Sequence, residues 1–583
     1  MIGADLRDQV QAWIADDPDE RDQAELSALL RAADGEADGP GEDASRAAAE
    51  LNDRFGAHLE FGTAGLRGAV AAGPNRMNRA VVRGTTAALA GWLLYIDTDA
   101  ALTGVVIGCD ARHRSEEFCL EAARVLAGAG IAVRLLPPRL PTPVLAFAVR
   151  HLGAAAGIMI TASHNPPADN GYKLYLDDGA QIVPPADLEI EAATRAVGPL
   201  SDVPVAPLDD PLITRLGDEV TSAYLEEICA ASPAPKGAAW LRFTYTPLHG
   251  VAGAVALRAF EQAGFPAPDL VDAQFEPDPD FRTVAFPNPE VPGALDLALA
   301  QARRTGAELV IANDPDGDRL AVAVPDDTAA GGWRTLTGDQ VGALLGAYLL
   351  GRDAARNGGS GPGRQDGGAS RPLVASTIVS ATMLASIARA AGAAYAATLT
   401  GFKWIARAGA LKPETRFLFG YEEALGYTVG TTVRDKDGIG AALAVLSLAT
   451  RARAGGDSLL EAYDALEAAH GVHLTGQITV PTTEPVHVMS RLRIAAPAEL
   501  AGQVVTSTSD LTGGTGDLPS ADVLRYWLAG ARVVIRPSGT EPRIKAYLEV
   551  VEPVIAGRLT EARRAARARM DPLREAVREL LNG

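Results

Sequence analysis

The chain has 583 residues, 60.5 kDa and 47% hydrophobic side chains, enough for three to five domains with their own cores, which excludes a wholly disordered polymer. Its 73 acidic and 53 basic side chains leave a net charge of −20. That argues against nucleic-acid or anionic-membrane binding, but not against an anionic small substrate held by a local cluster of Arg and Lys.

In chain order, the first sixty residues read as helical. Leu6, Val10, Trp13 and Ile14 fall on one face, with Asp5 placed as an N-cap. Acids early in MIGADLRDQVQAW, and no apolar core, argue against a signal peptide. Residues 34–43 form a Gly/Asp-rich break, after which Leu51, Phe55 and Leu59 repeat at four-residue spacing. Strands are expected at 104–108, 131–137 and 157–160, with helices near 115–127 and 141–151. A second block opens near 205. In it AWLRFTYT (239–246) precedes a helix at 251–263, and ELVIAN (308–313) closes the block. A third begins near 331, with a helix at 338–350, a strand at 372–375, a helix at 381–391 and the strand RFLFGYE at 416–422. Short apolar strands alternating with helices predict mixed or parallel sheets covered on both faces. Residues 352–371, rich in Gly, Ser, Arg and Asp, predict a flexible surface loop. The tail from about 475 reads as a smaller α+β unit. Cys109, Cys119 and Cys229 are too few for a disulfide framework and lack metal-site spacing, which fits a reducing, cytoplasmic setting. Charge-free runs are broken by Ser, Thr, Ala or Gly and read as buried elements, not membrane spans.

Four polar clusters sit at the ends of expected strands, where ligands bind in open α/β sheets. Thr161-Ala-Ser-His-Asn-Pro166 offers Ser163 beside His164 and Asn165. Serine is a weak nucleophile unless a base, metal or charged neighbour activates it, and the plain alternative is a turn with Ser163 as a cap. A hydrolase triad fits poorly, because no nucleophile-elbow pattern surrounds Ser163. Asp314-Pro-Asp-Gly-Asp-Arg319 places carboxylates at alternate positions on a tight loop, suited to one hard cation such as Mg²⁺. An EF-hand fails, because its sixth-position Gly and twelfth-position Glu are absent. Arg536-Pro-Ser-Gly-Thr-Glu-Pro-Arg543 offers guanidinium groups, hydroxyls and an open backbone for a phosphate, and it is no Walker A loop. Gly420-Tyr-Glu-Glu-Ala-Leu-Gly-Tyr427 places paired carboxylates where sugar hydroxyls could meet them. A serine, a cation loop and an arginine clamp together point to phosphoryl transfer, which depends on positioning and charge neutralisation.

These motifs, with GTAGLRG (62–68), follow in the order found in the α-D-phosphohexomutase superfamily, which the sequence resembles over nearly its whole length. The extra N-terminal helices, TGFKW and EEALGY are most similar to the phosphoglucomutase-2/phosphopentomutase-like branch. The resemblance implies an α/β protein with four domains around a deep cleft: three related mixed α/β domains and a C-terminal α+β, TATA-binding-protein-like domain. Boundaries are expected at 1–205, 206–328, 329–470 and 471–583. It implies that Ser163 carries the phosphoryl group and that Asp314, Asp316 and Asp318, with a phosphoserine oxygen of Ser163, hold Mg²⁺. Lys173 is the implied general acid/base. Arg67, Arg319 and His164 lie at the reacting centre, and Arg112 and His113 sit in a nearby loop. Gly401, Phe402, Lys403, Glu422 and Glu423 contact the sugar. Arg536, Ser538, Gly539, Thr540 and Arg543 grip the non-reacting phosphate.

The implied activity is an isomerase that moves phosphate within a sugar monophosphate, glucose 1-phosphate to glucose 6-phosphate first, through a sugar bisphosphate. A sugar 1,6-bisphosphate is the implied activator and a small sugar phosphate the partner, in a monomer or homodimer. The branch departs from many phosphohexomutases at Ala424, where a serine hydroxyl is common. Phosphopentomutase and phosphomannomutase activity are therefore alternatives. A metal-dependent sugar-phosphate phosphohydrolase and a catalytically silent homologue are readings of other classes. The RPSGTEPR loop argues against the first, and the intact serine, acidic triad and phosphate loop against the second.

Overall fold

The structure is a computed structural model that describes residues 2–35, 41–62, 65–356, 370–538 and 543–582. Helices Ala4–Asp16, Glu20–Ala33 and Gly41–Phe55 form the leader. Val10, Leu26, Leu30 and Leu51 meet in its small core, because helical spacing gathers them on one stripe. Gly3, not Asp5, occupies the first N-cap; Asp5 lies inside the first turn, where its charge complements the positive helix end. The third helix ends at Phe55, so Leu59 is off it. Arg114 ties the leader to the following domain through Asp22 at 2.8 Å and through Asp19.

The first sheet has the strand order Leu66–Ala69, Asp169–Leu176, Ala156–Ile160, Val105–Cys109, Val133–Leu135, Ile213–Arg215. Ala156–Ile160 is wholly buried and pairs in parallel with Val105–Cys109 and antiparallel with Asp169–Leu176. Ile213–Arg215 adds a parallel edge strand, so this sheet continues past residue 205. The second sheet runs Trp333–Thr335, Leu320–Pro325, Leu309–Asn313, Phe243–Thr246, Asp269–Leu270. Trp333–Thr335 pairs with Leu320–Pro325, so this sheet continues past residue 328. The third runs Ala394–Thr398, Arg371–Thr377, Thr415–Glu422, Gly426–Val429. Helix Gly338–Arg356 and strand Arg371–Thr377 claim both ends of the expected surface loop; residues 357–369 lie outside the described residues. The fourth sheet is antiparallel, in the order Val472–Pro481, Arg543–Glu552, Ala531–Pro537, Leu524–Leu528, Ser507–Asp510. Helix Leu559–Asn582 covers it with Ala566, Met570, Leu573 and Val577.

Helix Gly438–Gly455 is apolar almost all round and buried through most of its length, as expected for an element enclosed by protein. It packs on Ala252–Ala263 of the second domain and on Gly338–Arg356 of the third. Their backbones also join: Leu320 N–H donates to Leu425 O at 3.1 Å, and Arg319 forms an isolated bridge with Gly426. Gly438 fits there only without a side chain, because a Cβ would lie 2.2 Å from Arg319 O. The third and fourth domains meet at Glu549, which accepts from Thr382 N–H at 2.7 Å and Arg532 Nε at 2.5 Å and lies 2.8 Å from His473 Nδ1. Burial pushes the Glu549 pKa up, but Arg532 and then His473 outweigh it and hold the group at about 2. Ile378, Val379, Val534 and Tyr547 pack beside this pair. Among the described residues no helix is long and apolar enough to cross a membrane.

Candidate active site

Ser163 lies on the loop joining Ala156–Ile160 to Asp169–Leu176, with its backbone in the left-handed region at φ 53°. That conformation disfavours a residue with a Cβ and persists only where the surroundings enforce it. Here Arg112 does so. Its Nη1 donates to Pro166 O at 2.8 Å and Asp169 O at 3.0 Å, and its Nη2 to Ser163 O at 2.7 Å and Asn165 O at 2.6 Å. Phe281 of the second domain lies over the same guanidinium, 5.0 Å from its carbon. Arg112 is thus spent on the loop backbone, and the nearby position expected of it holds. His113 is exposed, 2.7 Å from Asp280.

The acidic loop follows strand Leu309–Asn313 and returns along Leu320–Pro325. Gly317 takes φ 72° in the turn, and a Cβ there would meet Pro141 and Ala252 at 3.0 Å. Asp314, Asp316 and Asp318 are fully buried, and one oxygen of each lies within 4.8 Å of the others. Ser163 Oγ donates to Asp314 Oδ2 at 2.9 Å. Asp316 Oδ2 accepts from Thr142 Oγ1 and Lys173 Nζ, each at 2.6 Å. Asp318 Oδ2 accepts from Lys173 at 2.9 Å and lies 3.3 Å from Lys436 Nζ. The remaining oxygens, Asp316 Oδ1 and Asp318 Oδ1, are buried without a hydrogen-bond partner among the described residues. Buried carboxylate oxygens of this kind are costly unless something positive meets them, so the donor set fits a hard divalent cation.

The charges divide accordingly. Burial and the neighbouring Asp316 and Asp318 push Asp314 well above the carboxylate range. Burial opposes the ionised form of Asp316, but Lys173 outweighs it and holds that carboxyl low. Burial pulls Lys173 down, but Asp316 and Asp318 outweigh it and keep the ammonium charged. His164 Nδ1 lies 3.2 Å from Ser163 Oγ, and burial, then Arg319 and Arg67, push its pKa well down, so the ring is neutral near pH 7. Arg67 donates to Asn165 Oδ1 at 3.0 Å. Arg319 reaches Glu290 at 3.5 Å. The Nε atoms of both arginines are buried without an acceptor among the described residues.

The other expected residues approach from the third and fourth domains. Glu422 is pushed up to about 7 by burial, partly offset by Lys436 and Arg319. Glu423 accepts from Thr377 Oγ1 at 3.0 Å and Ser380 Oγ at 2.9 Å. Phe402 is buried against Leu373, Ala375 and Ile405, and Lys436 Nζ lies 5.6 Å from the centre of its ring. Gly401 makes the turn before it at φ 106°, and Lys403 Nζ lies 3.9 Å from Asp187 of the first domain. Arg536 stacks on Tyr547 at 5.6 Å and donates to its hydroxyl at 3.1 Å. Ser538 N–H donates to Arg543 O at 2.8 Å, closing the two arms of the fourth domain's loop. Gly539 and Thr540 lie outside the described residues, as do Thr63 and Ala64 of the first motif. Two residues absent from the sequence reading belong to the constellation. Lys436, whose signal was a lysine between two acids before an apolar helix, meets Asp318; Glu290 meets Arg319, with Lys545 of the fourth domain within electrostatic reach.

The chain matches four family profiles in order. They describe phosphoglucomutase/phosphomannomutase α/β/α domains I (58–199), II (222–329) and III (337–468) and the C-terminal domain (483–566). It belongs to the phosphoglucomutase/phosphomannomutase family. This is the α-D-phosphohexomutase superfamily, and the chain falls with its phosphopentomutase-like branch. A Haemophilus influenzae protein named "Probable phosphomannomutase" is 41% identical over 81% of this chain and 93% of its own length. The Homo sapiens phosphopentomutase is 36% identical over 86% of this chain and 87% of its own. A solved Burkholderia thailandensis phosphoglucomutase/phosphomannomutase family protein shares the fold, with a TM-score of 0.65 at 20% identity, covering 87% of this chain and 96% of that one. As a family member the chain is an isomerase of the phosphosugar-mutase class.

Proposed function

We propose that this phosphosugar mutase moves a phosphoryl group between the anomeric and the primary hydroxyl of a sugar monophosphate, with Ser163 as the carrier and glucose 1-phosphate as the hexose substrate. The contact between Ser163 Oγ and Asp314, in a carboxylate cluster braced by Lys173, is the observation that supports it. Mg²⁺ is the proposed ion for Asp314, Asp316 and Asp318; when bound it supplies positive charge to phosphoryl oxygens. Lys173 holds a proton at Nζ for exchange with a sugar oxygen. Arg67 and Arg319 offer Nε–H donors that a phosphoryl oxygen would satisfy. Neutral His164 orients the serine hydroxyl without adding charge. Glu422 and Glu423 accept from sugar hydroxyls, and Arg536, Ser538 and Arg543 grip the spectator phosphate. A fixed phosphate grip and a loose sugar grip let one bisphosphate react in either orientation. A sugar 1,6-bisphosphate activates by phosphorylating Ser163.

Ala424 favours a second substrate reading, a pentose phosphate, because the sugar loop lacks a hydroxyl that would select a hexose. A ³¹P NMR time course with Mg²⁺, a trace of glucose 1,6-bisphosphate and either glucose 1-phosphate or ribose 1-phosphate tests both. Growth of the 6- or 5-phosphate signal is expected, absent in Ser163→Ala. Release of inorganic phosphate instead, or full turnover in Ser163→Ala, would overturn the mechanism.

A further inference from the structure

Away from the serine and the acidic loop, a cavity of about 460 Å³ opens where the second, third and fourth domains meet. Its size is that of a small-molecule site, for which ~300–1,000 Å³ is typical. Arg334 contributes from the second sheet. Asp339 and Glu467 line it from helices Gly338–Arg356 and Leu459–His470, and Arg563, Arg564 and Arg567 from helix Leu559–Asn582. Four arginines therefore face two carboxylates, in a chain whose net charge is −20.

The carboxylates are already partnered. Glu467 accepts from Arg563 Nε at 2.7 Å, and Asp339 accepts from Ala381 N–H at 2.7 Å and Tyr421 OH at 3.0 Å. Arg334 pairs with Asp326 at 2.5 Å, and His473 in the wall is held by Glu549. The uncompensated charge sits on Arg564 and Arg567, which have no hydrogen-bond or ion-pair partner among the described residues. Three residues apart on a helix, they are surface neighbours, and each guanidinium presents a fork of donors matched to phosphate oxygens. Thr475 and Thr560 add hydroxyls to the walls.

We propose that this cavity is a second ligand site, separate from the catalytic cleft, which takes a small phosphorylated anion with at least two negative charges. Because its walls come from three domains, an occupant joins the fourth domain, bearing the Arg536 loop, to the second and third. Binding there favours the domain arrangement described above and so tunes the phosphate grip. This regulatory consequence rests on the function proposed above; the binding does not.

The test is calorimetric titration of the full-length protein with inorganic pyrophosphate, in wild type, in Arg564→Ala/Arg567→Ala and in Arg536→Ala. A binding event weakened at least tenfold by the double substitution, and retained in Arg536→Ala, is expected. No binding by wild type, equal binding by the double variant, or loss of all binding in Arg536→Ala would overturn it. Arg564 and Arg567 are exposed, so the double variant should fold and keep its turnover without pyrophosphate. The readout is binding, so it stands whatever the mutase assay shows.

Discussion

Arg112→Lys is the sharpest probe of how the serine is held. The guanidinium spans four carbonyls of the 161–169 loop at 2.6–3.0 Å. A lysine ammonium concentrates three donors at one point and cannot reach the same four acceptors. If two carbonyls lose their donor at ~1–3 kcal/mol each, the loop loses ~2–6 kcal/mol of support. That matches or exceeds the ~1–3 kcal/mol that a left-handed residue such as Ser163 requires from its surroundings. The loop should relax and carry Ser163 Oγ away from Asp314; a misplacement of ~1 Å costs on the order of 100-fold in rate. Rapid-quench measurement of phosphoryl transfer should show kcat down about 100-fold. KM should change little, because the proposed grip on the spectator phosphate lies on the fourth domain. Phosphate released per turnover should rise, because a displaced serine competes poorly with water. A variant with kcat within threefold of wild type would refute Arg112 as a positioning residue. A drop in kcat matched by an equal loss of folded enzyme, read by circular dichroism, would mean general unfolding instead.

Three further outcomes are expected. Mg²⁺ at 100 times its Kd should stabilise the protein by ~2.7 kcal/mol, seen as a rise in Tm that EDTA reverses and Asp316→Asn abolishes; a rise that persists in Asp316→Asn would place the ion elsewhere. Glu549, held at about 2 against an ordinary 4.5, contributes ~3 kcal/mol of stability above pH 4.5 that is lost as pH falls through about 2. Glu549→Gln should therefore unfold at lower urea than wild type at pH 7, with a gap that narrows below pH 4.5; a constant gap would refute the assignment. Ala424→Ser should raise the ratio of glucose 1-phosphate to ribose 1-phosphate turnover ~5-fold, the worth of one added hydrogen bond of ~1 kcal/mol, and an unchanged ratio would remove the loop as a selector.

Motifs at strand ends were legible because the chemistry requires particular residue types close together in sequence: the serine loop, the three alternating aspartates, the arginine loop. What escaped depends on distance in space. Nothing in GCDARHRS tells a carbonyl-binding arginine from a phosphate-binding one; that is decided by a loop some fifty residues away folding over it. Lys436 reads as surface charge until the helix behind it is seen to be buried. Phe402, beside a glycine turn and a lysine, carries no local sign of what its ring meets; only the fold sets Leu373 and Ala375 on one side and Lys436 on another. The sheets extend past residues 205 and 328 because short edge strands add to a sheet through backbone pairing, which leaves a weak hydropathy trace.

The bridge between Arg319 and Gly426, sealed by Gly438, has an evolutionary consequence. The acidic loop and the 420–427 turn are bridged backbone to backbone, so neither can drift without dragging the other. A lineage that alters the 420–427 turn also disturbs the acidic loop. Safer variation lies elsewhere, in the first domain's edge that faces Lys403 and in the fourth domain's 536–543 loop. Relatives that differ in preferred sugar should therefore diverge there sooner than at the seam.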